Sequence, residues 1–338
     1  MQMDFDIIFL DTTSAKYYDR QTLEKHALGG TEATVIRIAE GLGSLIVDEE
    51  GNRLKVAVIQ SQVPYFPPTM GQFAFFLHSN DIEKTSCKHY IQIRRNLNPT
   101  LYPAARKYLW LHDVAGAEEA TWHESLVNNN ITLLGVSRWH RKNIIEMSKY
   151  DKVKYIYNPV PDDIYLPVEA QPKYDPNLIV WLSSPHKGLG KALELFKEVR
   201  KGNSKMQFVI FNPGYFQVDE YKLSTEPGVS YYRPTACRSM WNIVAKSLCV
   251  FYPVQWDETF GLVAAEANAL GTPIATFRRA ALKEVVSSEN QFADDDNGIV
   301  EKVLDWSKNG RPVVQGKEEF RFSNVLLDWV GLLGEKRS

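Results

Sequence analysis

Short apolar runs rich in β-branched and aromatic residues recur along the chain at DIIFL (6–10), KVAVIQ (55–60), YIQI (90–93), YLWLHD (108–113), ITLLGV (131–136) and KYIYN (154–158). Hydrophobicity that is continuous rather than alternating fits strands buried on both faces, as in a parallel sheet. Helical patterns lie between them. TEATVIRIAEGLG sets Val35, Ile38, Ala39 and Leu42 on one face, and SRWHRKNIIEMSKY opens with a serine able to cap the first free amides. Strand and helix alternate, which predicts an open α/β domain.

The rhythm breaks at NPVPDDIYLPVEAQPKYDP (158–176), where Pro159, Pro161, Pro167, Pro172 and Pro176 remove backbone donors and disfavour helix and sheet interior alike. It resumes at NLIVWLS (177–183), QFVIFNP (207–213), VSYY (229–232), LCVFYP (248–253) and PIATF (273–277). The expected organisation is therefore a Rossmann-like domain over 1–157, a Pro-rich linker over 158–176 and a second Rossmann-like domain over 177–316. In the tail, 317–338, helical apolar spacing at Phe322, Val325, Leu326 and Trp329 predicts a helix that packs back on the body. Two such domains would bind a ligand in a cleft at the carboxyl ends of their strands.

Composition narrows the function. The 39 basic and 41 acidic residues nearly cancel, so no electrostatic footprint for nucleic acid is present. Cys87, Cys237 and Cys249 form no paired spacing, which argues against a disulfide framework or a zinc knuckle and fits a reducing cytoplasm. No apolar run approaches the ~20 residues of a membrane span, so membrane contact would be peripheral at most. The segment from Arg138 to Lys154 carries Arg138, Arg141, Lys142, Lys149, Lys152 and Lys154. Its basic face reads as a solvated surface, with anionic lipid or a charged acceptor as the alternative.

Three stretches could carry chemistry. LGGTEAT (28–34) puts Gly29 and Gly30 before a helix, where unpaired amides attract phosphate, although the three-glycine dinucleotide fingerprint is absent. SSPHKGLGKAL (183–193) is a strand exit with Ser183 and Ser184, then Lys187 and Gly188 near a helix start, without the spacing of a P-loop. DETFGLVAAEANALGTP (257–273) places Glu258 in a loop after a strand, Phe260, Gly261 and Leu262 at a helix start, and Glu266 on the helix. In one continuous helix an eight-residue step would rotate the two acids by roughly 80°. The Phe-Gly turn lets both face one ligand. Alanines 264, 265, 267 and 269 mark a closely packed helix, where a stray carboxylate would be costly. FADDDNG (292–298) reads as a solvated acidic loop between helices rather than a metal site.

ETFGLVAAE followed by LGTPIA resembles the Glu, seven residues, Glu motif of the retaining GT-B glycosyltransferases of family 4. LGGTE is similar to that family's N-terminal glycine loop and LLGVSRW to its serine-bearing strand exit. YNPVPDDIY resembles the motif closing its first domain, SSPHKGL its donor-phosphate loop, and ALKEVV the element after the small-residue strand. The resemblance implies a GT-B fold, two doubly wound Rossmann-like domains facing a central cleft, with the acceptor side in the first domain and the donor side in the second. It implies a retaining transfer of sugar from a nucleotide-diphosphate donor, UDP- or GDP-linked, to a hydroxyl of a glycan, lipid-linked glycan or small molecule, without a metal or other cofactor. By the same resemblance Glu258 contacts donor sugar hydroxyls, and Glu266 holds the ribose diol. Phe260, Gly261 and Leu262 bring amides near the sugar and distal phosphate, Gly30 approaches the diphosphate, Lys187 neutralises the leaving group, and His112 reaches the donor sugar.

One departure stands out. Many members carry Gly-Arg before the Lys-Gly of the phosphate loop, whereas WLSSP holds no arginine. Ser183 or Ser184, or Arg278 or Arg279 from TFRRAAL, are the candidates to compensate. A nucleotide-sugar epimerase of similar fold and a non-catalytic sugar-nucleotide-binding protein remain as alternatives.

Overall fold

The computed structural model describes residues 2–47, 49–62, 69–212, 225–233 and 237–334. The chain divides into two compact units. The first comprises residues 1–23, 30–159 and 322–338, the second residues 24–29 and 160–321.

In the first unit, eight strands form one sheet: β1 (Met3–Asp11), β2 (Val56–Gln60), β3 (Thr69–Met70), β4 (Ala74–His78), β5 (Thr85–Ile93), β6 (Arg106–Trp110), β7 (Thr132–Gly135) and β8 (Val153–Tyr155). Their order is β3-β4-β2-β1-β5-β6-β7-β8. Every pairing is parallel except the edge hairpin β3–β4. The expected strands are present, and AFFLH (74–78) adds one that the apolar runs did not single out. The central strands are buried along their length because helices cover them, which is why they read as unbroken apolar runs. Helix α1 (Gly30–Ser44) buries Val35, Ile38, Ala39 and Leu42 as the spacing predicts. Helix α2 (Arg138–Ser148) is capped by Ser137, whose side chain accepts from the amide of His140 at 2.9 Å.

The second unit has six parallel strands: β9 (Asp175–Trp181), β10 (Gln207–Phe211), β11 (Val229–Tyr232), β12 (Ser247–Tyr252), β13 (Ile274–Phe277) and β14 (Phe292–Ala293), ordered β11-β10-β9-β12-β13-β14. Its longer helices are α3 (Leu189–Gly202), α4 (Cys237–Ala245), α5 (Leu262–Ala269) and α6 (Asp296–Asn309). FADDDNG is not the inter-helix loop expected. Its Phe-Ala is strand β14, and Asp295 caps α6 by accepting from the amide of Gly298 at 2.7 Å. Acids gather there because the positive end of a helix dipole stabilises them.

The last helix, α7 (Phe322–Gly334), belongs to the first unit. Trp329 is fully buried with its ring 4.7 Å from that of Trp110 and 5.8 Å from that of Phe9. A Cβ on Gly41 would meet the Phe322 ring at 2.5 Å, so the glycine allows α1 and α7 to approach closely.

Candidate functional site

In open α/β sheets a ligand crevice forms where neighbouring strands lead their connections to opposite sides. The second sheet has this reversal between β9 and β12: β10 and β11 extend from one side of β9, β13 and β14 from the far side of β12. The residues leaving these two strands are those that the sequence singled out. Ser183, Ser184 and Lys187 follow β9, and Glu258 follows β12.

Lys187 and Glu258 meet there. The Lys187 ammonium lies 2.8 Å and 3.0 Å from the two oxygens of the Glu258 carboxylate, and Glu258 is only 7% exposed. Tyr252, the last residue of β12 and fully buried, donates its hydroxyl to Glu258 Oε1 at 2.5 Å, with Ser183 Oγ 3.2 Å from the same hydroxyl. The main-chain carbonyl of Ser183 accepts from the Trp181 indole at 2.6 Å. A buried carboxylate is tolerated because a cation and a hydroxyl serve it.

Two helix starts adjoin this cluster. Gly188, at φ +122°, precedes α3, and Gly261, at φ +94°, precedes α5. Both backbones are left-handed, where a side chain is strained. A Cβ on Gly261 would also meet Leu282 Cδ2 at 2.8 Å. Phe260 is buried against Phe320, with ring centroids 5.1 Å apart, which fixes the turn that presents Gly261 and Leu262. Glu266 lies one helix turn further in, and the Trp241 indole donates to its Oε2 at 3.1 Å. The main-chain carbonyl of Glu258 accepts from the amide of Ala281 at 3.2 Å, which ties the loop after β13 to the acid.

The arginines considered as substitutes have their own partners. Arg278 pairs with Glu289 and lies over the Phe292 ring, 4.6 Å from its centroid. Arg279 pairs with Asp257, the neighbour of Glu258, at 2.5 Å.

Gly30 and His112 lie in the first unit. Gly30 is the exposed first residue of α1. His112 follows β6 and is 7% exposed, its ring 4.5 Å from that of Trp110. Burial, with Arg94 and His140 nearby, holds its imidazole well below the usual range, so it is neutral. Sequence reasoning missed its surroundings. Arg94, in a left-handed conformation at φ 66°, pairs with Glu32 at 3.1 Å and reaches Asp113 at 3.6 Å. His140 approaches the carbonyl of Asp113 through Nε2 at 2.9 Å and accepts from the Val136 amide through Nδ1 at 3.2 Å. Asp11, fully buried at the end of β1, accepts from Thr13, Ser14 and Tyr18. A non-glycine residue held at positive φ is a fair sign of a constrained site, but it is invisible in a sequence. Among the described residues no group of three or more His, Cys, Asp or Glu could hold a metal, and no helix is long and apolar enough to cross a membrane.

Residues 174–316 match the family model of glycosyl transferases group 1, which covers nearly all of the second unit. No curated protein sequence matches the chain. Among solved structures, the sucrose-phosphate synthase from Thermosynechococcus elongatus superposes with a TM-score of 0.68 at 14% identity, covering 98% of each chain. HepE of Anabaena, solved in complex with UDP and glucose, gives 0.67 at 14% identity over 97% of this chain and 99% of its own. TarM of S. aureus, crystallised with Fondaparinux, α-GlcNAc-glycerol and UDP, gives 0.55 at 16% identity over 73% of this chain. The match spans only 55% of TarM's own length. With a glycosyl transferases group 1 segment and GT-B glycosyltransferases as whole-chain structural neighbours, the chain has the two-domain, Rossmann-like GT-B fold.

Proposed function

We propose that this protein is a retaining GT-B glycosyltransferase that moves a sugar from a nucleotide-diphosphate donor, UDP- or GDP-linked, to a hydroxyl of a sugar or glycan acceptor. The observation that carries the reading is the Lys187–Glu258 pair at the β9/β12 reversal, flanked by two glycine-led helix starts and contained in the matched segment. Lys187 would draw the diphosphate and stabilise the charge that builds up as the nucleotide departs. The amides of Gly261 and Leu262 would add to that field from the dipole end of α5. Glu258 would hold sugar hydroxyls and so orient the anomeric carbon. Glu266, steadied by Trp241, would accept from the ribose diol. Ser183, whose Oγ lies 3.2 Å from the Tyr252 hydroxyl, would supply a hydroxyl in place of the arginine that related phosphate loops carry. From the first unit, Gly30 would approach the diphosphate and neutral His112 the sugar. No metal ligand set is required, and three free cysteines fit a cytoplasmic enzyme.

The test is a thermal-shift screen against UDP-, GDP- and ADP-sugars, because a ligand that binds only the native state raises the melting temperature in step with ln(1 + [L]/Kd). Donors that stabilise the protein are then incubated with candidate acceptors, and the anomeric configuration of the product is read by NMR. Stabilisation followed by an α-product from an α-donor supports the reading. Inverted product defeats retention, and an epimerised donor with no transfer defeats the transferase assignment.

A further inference from the structure

Tyr252 is a buried group at the β9/β12 reversal that no resemblance assigns. Its hydroxyl sits at the centre of a buried chain of contacts: 2.5 Å to Glu258 Oε1 and 3.2 Å to Ser183 Oγ, with Lys187 on the same carboxylate at 2.8 Å and 3.0 Å. One phenol proton cannot serve both neighbours, and the shorter contact to a charged acceptor takes it. Its ring is wedged against Trp181, 5.2 Å between centroids, and Trp181 in turn holds the Ser183 carbonyl. The phenol therefore has no freedom to leave. Burial and the adjacent Glu258 push its pKa well above the ordinary value, so at neutral pH it acts as a donor.

Building on the glycosyl-transfer reading, we infer that Tyr252 is a positioning residue: its hydroxyl locks the Glu258 carboxylate, and Glu258 in turn holds Lys187 in place for the donor diphosphate. The physical need is clear. A lysine is a compact charge on a flexible stem, whereas arginine presents a rigid fork. A phosphate loop with lysine and no arginine needs another source of rigidity, and the Trp181–Ser183–Tyr252–Glu258 chain supplies it from the sheet. Oε1 of Glu258 carries both the Tyr252 bond and the 2.8 Å contact to Lys187, so the phenol fixes the oxygen that fixes the lysine.

The experiment compares wild type with Tyr252→Phe, Glu258→Gln and the double variant. Tyr252→Phe deletes one oxygen and keeps the ring on Trp181. Acetylation by an N-hydroxysuccinimide ester, without nucleotide and read by peptide mass spectrometry, reports how firmly Lys187 is held. Its rate should rise about threefold to tenfold in each single variant and no further in the double variant, while exposed Lys201 stays constant. An unchanged Lys187 rate in Tyr252→Phe overturns the inference, as does a collapsed thermal melt in its place, which would make Tyr252 a packing residue. With the donor found by the screen, kcat of Tyr252→Phe should fall about tenfold to hundredfold, clearly more than nucleotide Kd rises, because the lysine acts most on the charge that builds as the diphosphate departs. Parallel losses in kcat and Kd, or losses that add in the double variant, also overturn it. If wild type transfers no sugar, the proposed function fails, and the acetylation arm alone then decides the role of Tyr252.

Discussion

Replacing Lys187 by methionine tests the pair at the centre of the site without reference to any substrate. The change keeps the length of the stem and removes the charge, so the Glu258 carboxylate, 7% exposed, keeps the Tyr252 hydroxyl and loses its cation. Breaking a fully buried ion pair from one side costs about 3–5 kcal/mol. The Lys187 side chain is 26% exposed, so water can reach part of the vacated position, and a loss of about 2–3 kcal/mol is expected. For a unit of this size each kcal/mol corresponds to roughly 2–4 °C in Tm, so the second unit should melt roughly 5–10 °C lower. Adding Glu258→Gln to the variant removes the stranded charge, and at least half of the lost stability should return. The measurement is calorimetry on wild type, both single variants and the double variant. A Lys187→Met protein melting within about 1 °C of wild type, or a double variant no more stable than Lys187→Met, would refute the reasoning, because the pair would then be solvated rather than buried.

Further outcomes follow from other parts of the molecule. Glu266→Ala should weaken nucleotide binding by about 1–3 kcal/mol, since a ribose diol loses its acceptor, and unchanged affinity by calorimetry would remove Glu266 from the donor site. Gly261→Val should lower stability by roughly 2 kcal/mol or more from the left-handed backbone and the Leu282 contact; a stability equal to wild type would show that the turn has another conformation open to it. Transfer should survive EDTA, and its abolition with recovery on adding magnesium or manganese would overturn the metal-free reading. His140 is fully buried and its pKa is lowered to about 4 by burial. The unfolded chain therefore binds a proton first, so stability is full above about pH 6.5 and falls through about pH 4, by roughly 3 kcal/mol. His140→Gln should flatten that part of the acid-denaturation curve, and an unaltered curve would mean that this imidazole is not the group responsible.

Much of the fold was legible because parallel strands buried on both faces leave unbroken apolar runs, as DIIFL and LCVFY do. The edge hairpin β3–β4 was less so: AFFLH lies close to glycine, and β3 is only two residues long. The residues singled out at the exits of β9 and β12 could be picked from the sequence since each sits beside a glycine or small-residue signal. Tyr252 and Trp241 could not, because in sequence each reads as an ordinary apolar position of a strand or helix, and only the folded geometry aims the phenol and the indole at the two acids. Glu32 and Arg94 are 62 residues apart, and nothing local in either segment announces their pairing.

The membership of α7 in the first unit bears on how the chain can be made. Trp329 completes the Phe9–Trp110 cluster, so a ribosome that has delivered residues 30–159 has released an apolar cluster still missing its cover. The second unit, residues 24–29 and 160–321, is synthesised whole before that cover emerges. During synthesis the first unit therefore completes its packing only when α7 arrives, after the second unit has been made. In the interval the exposed tryptophan pocket is a natural target for chaperones, and stop codons placed shortly before Phe322 should yield a chain prone to aggregation rather than a merely shortened one.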